Sequence, residues 1–499
     1  MSGDVGLRSG SGTTSEAATW NRTLRLSLAD AALSTTLQTL TTGAFIAGFG
    51  LAIGASQVQI GILAALPTLG NVAQIVGSYF IERTGQRKSL CLVTTFLARA
   101  LWFAILTLPL VLLHASASVL VWWIVLLLAT SSGLAAIGGV AWLSWMKDLV
   151  PNGRRADFLS RRNQIGTGLA LSLSIVAGLF LDWWAMHRPS SLGGFGFVFG
   201  FAAICGLTAI HFLRRTPDAR MPVRCGHQPF AQLITLPMRD VNFRRLVVFY
   251  AFWSLGVNVA SPFFNVYMLR ELGQPFWFVT LVNTLAGVAS LVTNRFWVRL
   301  SSQFGNKPVV FLATLGNAFF PFCWMFIDRT SAWWLVPVHL LGMFNSVVVL
   351  GPNNIMFKLA PDRNASAYLA VFNAVVGPAT ALAPVLGGLL AGFMVSVHGH
   401  IGPVVLDGMK FVFMLSFALR LTSLLLLRRV SEPDAHGVRH LVRVLRNVKL
   451  PDLIEGLHTT LALRRETRRR RRVPAPHFTS ETTSAASPRA AEPVESHAA

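Results

Sequence analysis

Twelve apolar stretches, each near the length of a bilayer crossing, fill most of this chain and leave few folds open to it. They run over 28–54, 58–81, 89–112, 118–144, 162–186, 191–213, 245–269, 273–298, 308–328, 332–357, 366–396 and 402–427. Roughly 20 apolar residues cross the hydrocarbon core as a helix. Backbone in lipid must satisfy its own hydrogen bonds, which restricts spanning structures to helices and closed barrels. A barrel would need alternating segments of about 10 residues, and these runs do not alternate. Only 13% of the 499 residues are charged, against about 25% in a soluble domain. The expectation is an all-α membrane protein with twelve transmembrane helices.

The runs fall into two related sets. Met146-Lys147-Asp148-Leu149-Val150-Pro151 recurs as Met356-Phe357-Lys358-Leu359-Ala360-Pro361, about 210 residues later. The register continues through Leu159 and Leu369, Asn163 and Asn373, and Gly178-Leu179 and Gly388-Leu389; Trp122-Trp123 recurs as Trp333-Trp334, slipped by one. Each copy holds the same place in a six-segment unit. The chain therefore divides into a disordered 1–20, a first six-helix bundle over 21–213, a linker over 214–244, a second bundle over 245–430 and a basic tail over 431–499. The two bundles are pseudo-symmetric, the arrangement by which many secondary transporters rock around a central site. Asn163 and Asn373 are read as capping or inter-bundle residues. Within the tail, Leu441, Val444, Leu445 and Val448 suggest a partly helical surface segment.

The net charge of +22 has two sources. Loops joining even-numbered to odd-numbered spans hold most of the loop arginines and lysines, whereas loops on the other side hold few. The positive-inside rule makes the first set cytoplasmic and puts both termini inside. The second source is the tail, where the run Arg464-Arg465-Glu466-Thr467-Arg468 through Arg472 is explained by attraction to anionic lipid. The basic balance therefore does not point to nucleic acid. Residues 1–20 lack the apolar core of a cleavable signal. Of 43 basic residues all but 6 are arginine, which fits a GC-rich bacterial genome and an inner-membrane address. Cys91, Cys205, Cys225 and Cys323 show no metal or redox spacing and are expected as free thiols.

The loop after the second run reads Gly77-Ser78-Tyr79-Phe80-Ile81-Glu82-Arg83-Thr84-Gly85-Gln86-Arg87-Lys88. It resembles the signature loop of the major facilitator superfamily, with Glu82 and Arg83 at the acid–base pair, Gly85 at the turn and Arg87 and Lys88 at the basic end. A weaker copy, Arg299 to Lys307, has Ser302 at the acidic place. The resemblance implies that Glu82 docks against the cytoplasmic end of span 11 in one state. It also implies that spans 1, 4, 7 and 10 line a cavity, with span 3 toward the periphery. Gly85 permits a tight turn at positive φ. Span 11 carries Gly377-Pro378 and Ala383-Pro384, read as close packing or a kink.

Polar stripes mark the candidate cavity. Span 1 has Ser34, Gln38, Thr41 and Thr42 on one helix face, and span 7 has Asn258, Ser261 and Asn265. Span 10 adds Asn345, Asn353 and Asn354, and span 4 offers Trp142 and Trp145. Unpaired amides in hydrocarbon cost several kcal/mol, so the stripes face either neighbouring helices or a wet cavity. Arg99, in the middle of span 3, either contacts an anionic substrate or pairs structurally. Asp30 either binds a coupling proton or is an interfacial charge. Arg420 is expected to snorkel toward the cytoplasm.

No phosphate-binding Gly-x4-Gly-Lys-Ser/Thr loop, catalytic constellation, cofactor motif or metal-ligand set is present in the sequence. The reading is a monomeric secondary transporter of a small solute in the lipid bilayer, without cofactor; the coupling ion is open. Few buried charges point to a neutral, amphipathic or hydrophobic solute. The competing reading is a receptor or lipid-handling scaffold on the same bundle.

Overall fold

The computed structural model describes residues 11–218 apart from 113 and 189, together with 237–360, 365–396, 399–401, 404–406, 408–432, 435, 437 and 441. Each of the twelve runs contains helix. The first is broken, Ser11–Leu40 then Ala44–Ala52, and the second joins Gln57–Gly70 to Gln74–Thr84 through a 3-10 turn. Spans three to six are Arg87–Val111, Ala117–Leu149, Arg155–His187 and Ser191–Arg215. The seventh is broken like the first, Val241–Asn258 then Ser261–Val266, closing in a π turn over Tyr267–Glu271. The eighth and ninth are Phe276–Phe304 and Asn306–Trp324. The tenth is segmented and ends in Asn345–Leu359, and the last two are Ala365–Phe393 and Gly408–Arg428. Among the described residues, ten helical stretches are long and apolar enough to cross a membrane.

Three boundaries differ from the sequence reading. The first helix begins at Ser11, inside the stretch expected to be disordered. Glu16, Ala17 and Ala18 are good helix formers, which hydropathy alone does not register. The helices of spans 5 and 11 start at Arg155 and Ala365, so Asn163 and Asn373 are exposed mid-helix residues rather than caps. The start of the twelfth run is not helical: Val404–Leu406 forms strand β2, paired antiparallel with β1 (Gly399–Ile401) just ahead of the run, His400 opposite Val405. β-branched residues such as Ile401, Val404 and Val405 fit a strand as well as they raise hydropathy. The middle of the linker, Cys225 and the amphipathic and arginine-rich parts of the tail lie outside the described residues.

A buried arginine stitches each bundle. Arg99 on span 3 donates to the Gly206 carbonyl of span 6 and, at 2.8 Å, to Ser34 of span 1. Arg420 on span 12 donates to the backbone and side-chain oxygens of Asn317 on span 9 at 2.9 and 2.8 Å, and reaches Gly256 of span 7. Spans 1, 3 and 6 correspond to spans 7, 9 and 12, so the same three-helix junction is tied twice. Arg420 does not snorkel: it is only 2% exposed, beneath Trp253, because acceptors within the bundle satisfy it where it lies.

The repeat also explains two ion pairs. Asp148 at the end of span 4 holds Arg87 at 2.5 Å. Lys358, its counterpart on span 10, has the opposite sign and pairs at 2.7 Å with Glu432. Glu432 also accepts the Asn306 amide and the Asn306 and Lys307 backbone N–H groups at the start of span 9. A carboxylate at a helix N-terminus is favoured by the dipole. Burial alone would raise the Glu432 carboxyl, but the Lys358, Lys307 and Asn306 donors hold it below its ordinary range. A depressed carboxyl contributes stability above its unfolded pKa and loses it as pH falls through the folded one. Glu432→Ala is therefore expected to cost about 1–3 kcal/mol at neutral pH. It should also flatten the loss of thermal stability expected of the wild type below about pH 4. Thermal unfolding in detergent across pH checks both.

Candidate functional site

The halves meet mainly at the end away from the basic loops. There span 2 packs against span 11, span 5 against span 8, and the short second helices of spans 1 and 7 against each other. Glycine lets backbones approach: a Cβ on Gly61 would lie 2.3 Å from the Pro384 carbonyl oxygen, and one on Gly388 2.6 Å from that of Gln57. The stretch from Pro384 to Gly388 thus serves packing, whereas a Cβ on Gly377 would meet nothing within 4 Å. Asp182 on span 5 caps span 8 across the interface, accepting from the Phe276 and Trp277 N–H groups at 2.8 and 2.6 Å. Phe276 stacks on Phe45 and meets Phe195 edge-on.

Below this closure lies a cavity of about 650 Å³, within the usual range for small-ligand sites of about 300–1,000 Å³. Both helix breaks face it. Gly43, at φ 60, makes the turn in span 1, and span 7 breaks at Val259 and Ala260. Gln38, Thr41, Thr42, Asn258, Ser261 and Asn265 all line the cavity. Thr41 and Thr42 spend their hydroxyl protons on the carbonyls of Leu37 and Gln38, at 2.7 and 2.8 Å. Asn258 donates to Ser254, and Asn265 accepts from Asn283.

Span 10 departs from the expected pattern. Asn345 and Asn353 are not among the cavity residues. Asn345 accepts the Asn317 amide at 2.7 Å, and Asn353 donates to Val349 of its own helix. Asn317 is held in turn by Arg420, so Asn345 belongs to the buried junction of the second bundle. On span 4, Trp142 faces the cavity, whereas Trp145 is fully buried and donates to the Pro217 carbonyl. Span 2 supplies two residues the stripes did not nominate, Asn71 and Gln74, hydrogen-bonded to each other. Their spacing of three beyond Pro67, in an otherwise apolar run, was the available signal.

Charge enters the cavity from one bundle. Asp30, Arg99 and Arg162 are its charged lining residues. Asp30 lies well inside the first helix and is 2% exposed. One oxygen accepts from Arg162 at 2.7 Å and the other from the Ser34 hydroxyl at 3.0 Å. Arg162 also donates to Ser27 and lies over the Trp142 ring. Arg99 is reached through Ser34, which puts span 3 on the cavity wall rather than at the periphery.

The signature loop adopts the expected turn: the helix of span 2 ends on Gly85 at φ 66, its N–H bonded to Ile81. Arg83 donates to Tyr79, and Lys88 to the Thr216 carbonyl. Arg87 is buried against Asp148. Glu82 is exposed and is not docked on the described part of span 11 in this state.

Two six-helix halves around a polar cavity, sealed at one end, define a membrane carrier. The family model described as Major Facilitator Superfamily matches residues 31–384 and again 246–475. The chain belongs to the major facilitator superfamily, and it is a multi-pass secondary transporter. No curated protein matches it. Among solved structures, the nucleoside transporter NupG superposes with TM-score 0.61 at 11% identity, covering 83% of this chain and 98% of that one. A bacterial homologue of the iron transporter ferroportin, in its inward-facing state, gives 0.60 at 14% identity, with 83% and 98% covered. The outward-facing ferroportin homologue with soaked iron gives 0.51 at 14% identity, with 82% and 98% covered.

Proposed function

We propose that a small solute binds in this cavity between Gln38, Asn258, Ser261, Asn265 and the Asp30–Arg99 side. The proposed state is inward-facing, in an inner membrane with both termini cytoplasmic. The observation that carries the reading is the cavity itself: polar faces from both halves line it, and inter-bundle packing seals one end. The bias of loop arginines to the opposite end supports a cytoplasmic opening. The better superposition on an inward-facing relative points the same way. In the return state, Glu82 docks at the start of span 11, as Asp182 caps span 8 here. Each half would then clamp a helix N-terminus of the other in turn. Asp30 serves as the counter-charge of the two arginines.

Counterflow of a metabolite panel in proteoliposomes tests this. The expected result is saturable flux that falls several-fold in Glu82→Ala, since a charge at a helix N-terminus contributes about 0.3–1 kcal/mol, more when partly buried. Saturable binding without flux of any solute would instead identify a receptor.

A further inference from the structure

Resting on the transporter reading, we infer that the cavity selects a monovalent organic anion with an apolar body, its head group held at Arg99.

The charge balance of the wall carries this. Two guanidinium groups share one carboxylate. Both Asp30 oxygens are engaged, one by Arg162 and one by Ser34. Arg162 is held by Ser27, Asp30 and Trp142. Arg99 meets that carboxylate only through Ser34, and its other described bond goes to a neutral carbonyl. A guanidinium has five N–H donors in a planar fork suited to a carboxylate. Asn258, Ser261 and Asn265, from the opposite bundle, bring no charge. The wall is therefore one positive charge in excess, in a setting where unpaired charge is expensive.

Shape supplies the second half of the inference. Trp102 follows Arg99 by three residues on span 3, about 4.5 Å further along the helix, and also lines the cavity. Around it, toward the sealed end, stand Ile46, Ile60 and Leu63. Asp30, Ser34 and Arg162 lie toward the open end. On the first-bundle side the wall thus grades from charged to apolar, with the neutral Ser261 and Asn265 facing it, and an amphipathic anion would place its head at Arg99 and its body beside Trp102. The sequence alone pointed to a neutral, amphipathic or hydrophobic solute and left an anionic contact at Arg99 open, because its few charges could not be counted as a cluster.

Thermal unfolding of the purified full chain with phenylbutyrate, phenylbutanol and phenylbutylamine tests the class. The carboxylate should stabilise the protein, with the alcohol and amine binding about tenfold to a hundredfold more weakly. Arg99→Gln should abolish the preference and Arg99→Lys should retain part of it. If Arg99→Gln does not fold, the wild-type panel and the lysine variant still decide. A long-chain acyl carboxylate run alongside separates a membrane-borne anion from a dissolved one. Equal or better stabilisation by the amine or alcohol overturns the inference, as does the absence of any response to both carboxylates. Proteoliposome uptake keeps the two readings apart. Flux of the amine without the carboxylate removes the anion class and leaves a transporter. Carboxylate binding without flux keeps the class and removes transport.

Discussion

Gly61→Ala is expected to hold the protein with its sealed end open and to stop turnover. The new Cβ would sit 2.3 Å from the Pro384 carbonyl oxygen, and ordinary contact needs roughly 1 Å more. The obstacle is backbone on span 11, so no rotamer change relieves it. Gly388→Ala should act alike, since its Cβ would meet the Gln57 carbonyl oxygen at 2.6 Å. Overpacking costs about 1–3 kcal/mol, and applied to one state only this shifts the equilibrium about 5–150-fold. Because the clash exists only when spans 2 and 11 are closed at this end, stability of the opened form should change little. Adding Asp182→Asn removes the carboxylate charge from the start of span 8 and should push the same way. Distances between spin labels on the outer ends of spans 2 and 11 would read the shift. Unchanged distances in Gly61→Ala would refute it.

Arg420→Met should produce the largest loss of stability among single side-chain changes in the second bundle. The substitution leaves the backbone and side-chain oxygens of Asn317 without their donor in a site only 2% exposed, while the Gly256 carbonyl keeps the Ser416 hydroxyl. Orphaned buried polar groups cost about 1–3 kcal/mol each. Asn317 also donates to Asn345, so the disturbance should spread from spans 7, 9 and 12 to span 10. A drop in Tm of more than about 5 °C is expected, with Arg420→Lys intermediate because an ammonium lacks the planar fork. A snorkelling arginine would give almost no change. Combined with Asn317→Ala, the effects should be far from additive.

The lipid solvent made the spans legible, because it demands long apolar runs and permits only self-satisfied backbone. The repeat marked the two halves, and the loop motif marked the turn at Gly85. Long-range pairing was hidden. Asp30 and Arg162 are 132 residues apart, and no periodicity connects them. Arg99 looked peripheral because span position, not helix rotation, was available. Asn345 had the right residue type and span, but its partner on span 9 cannot be read from span 10. Glu432 lies past the last apolar run, in what reads as tail, yet it anchors spans 9 and 10. The second strand of the hairpin, Val404–Leu406, was absorbed into a span because strand and membrane helix draw on the same apolar residues.

Alternating exposure of the cavity is tested most directly by a single cysteine at Gln38, with the native cysteines replaced. The probe is a membrane-impermeant thiol reagent applied to one face at a time. The Gln38→Cys protein should react from the cytoplasmic face, and in the Gly61→Ala background from the opposite face. Reaction from the same single face in both backgrounds would contradict a carrier that opens its centre to each side in turn.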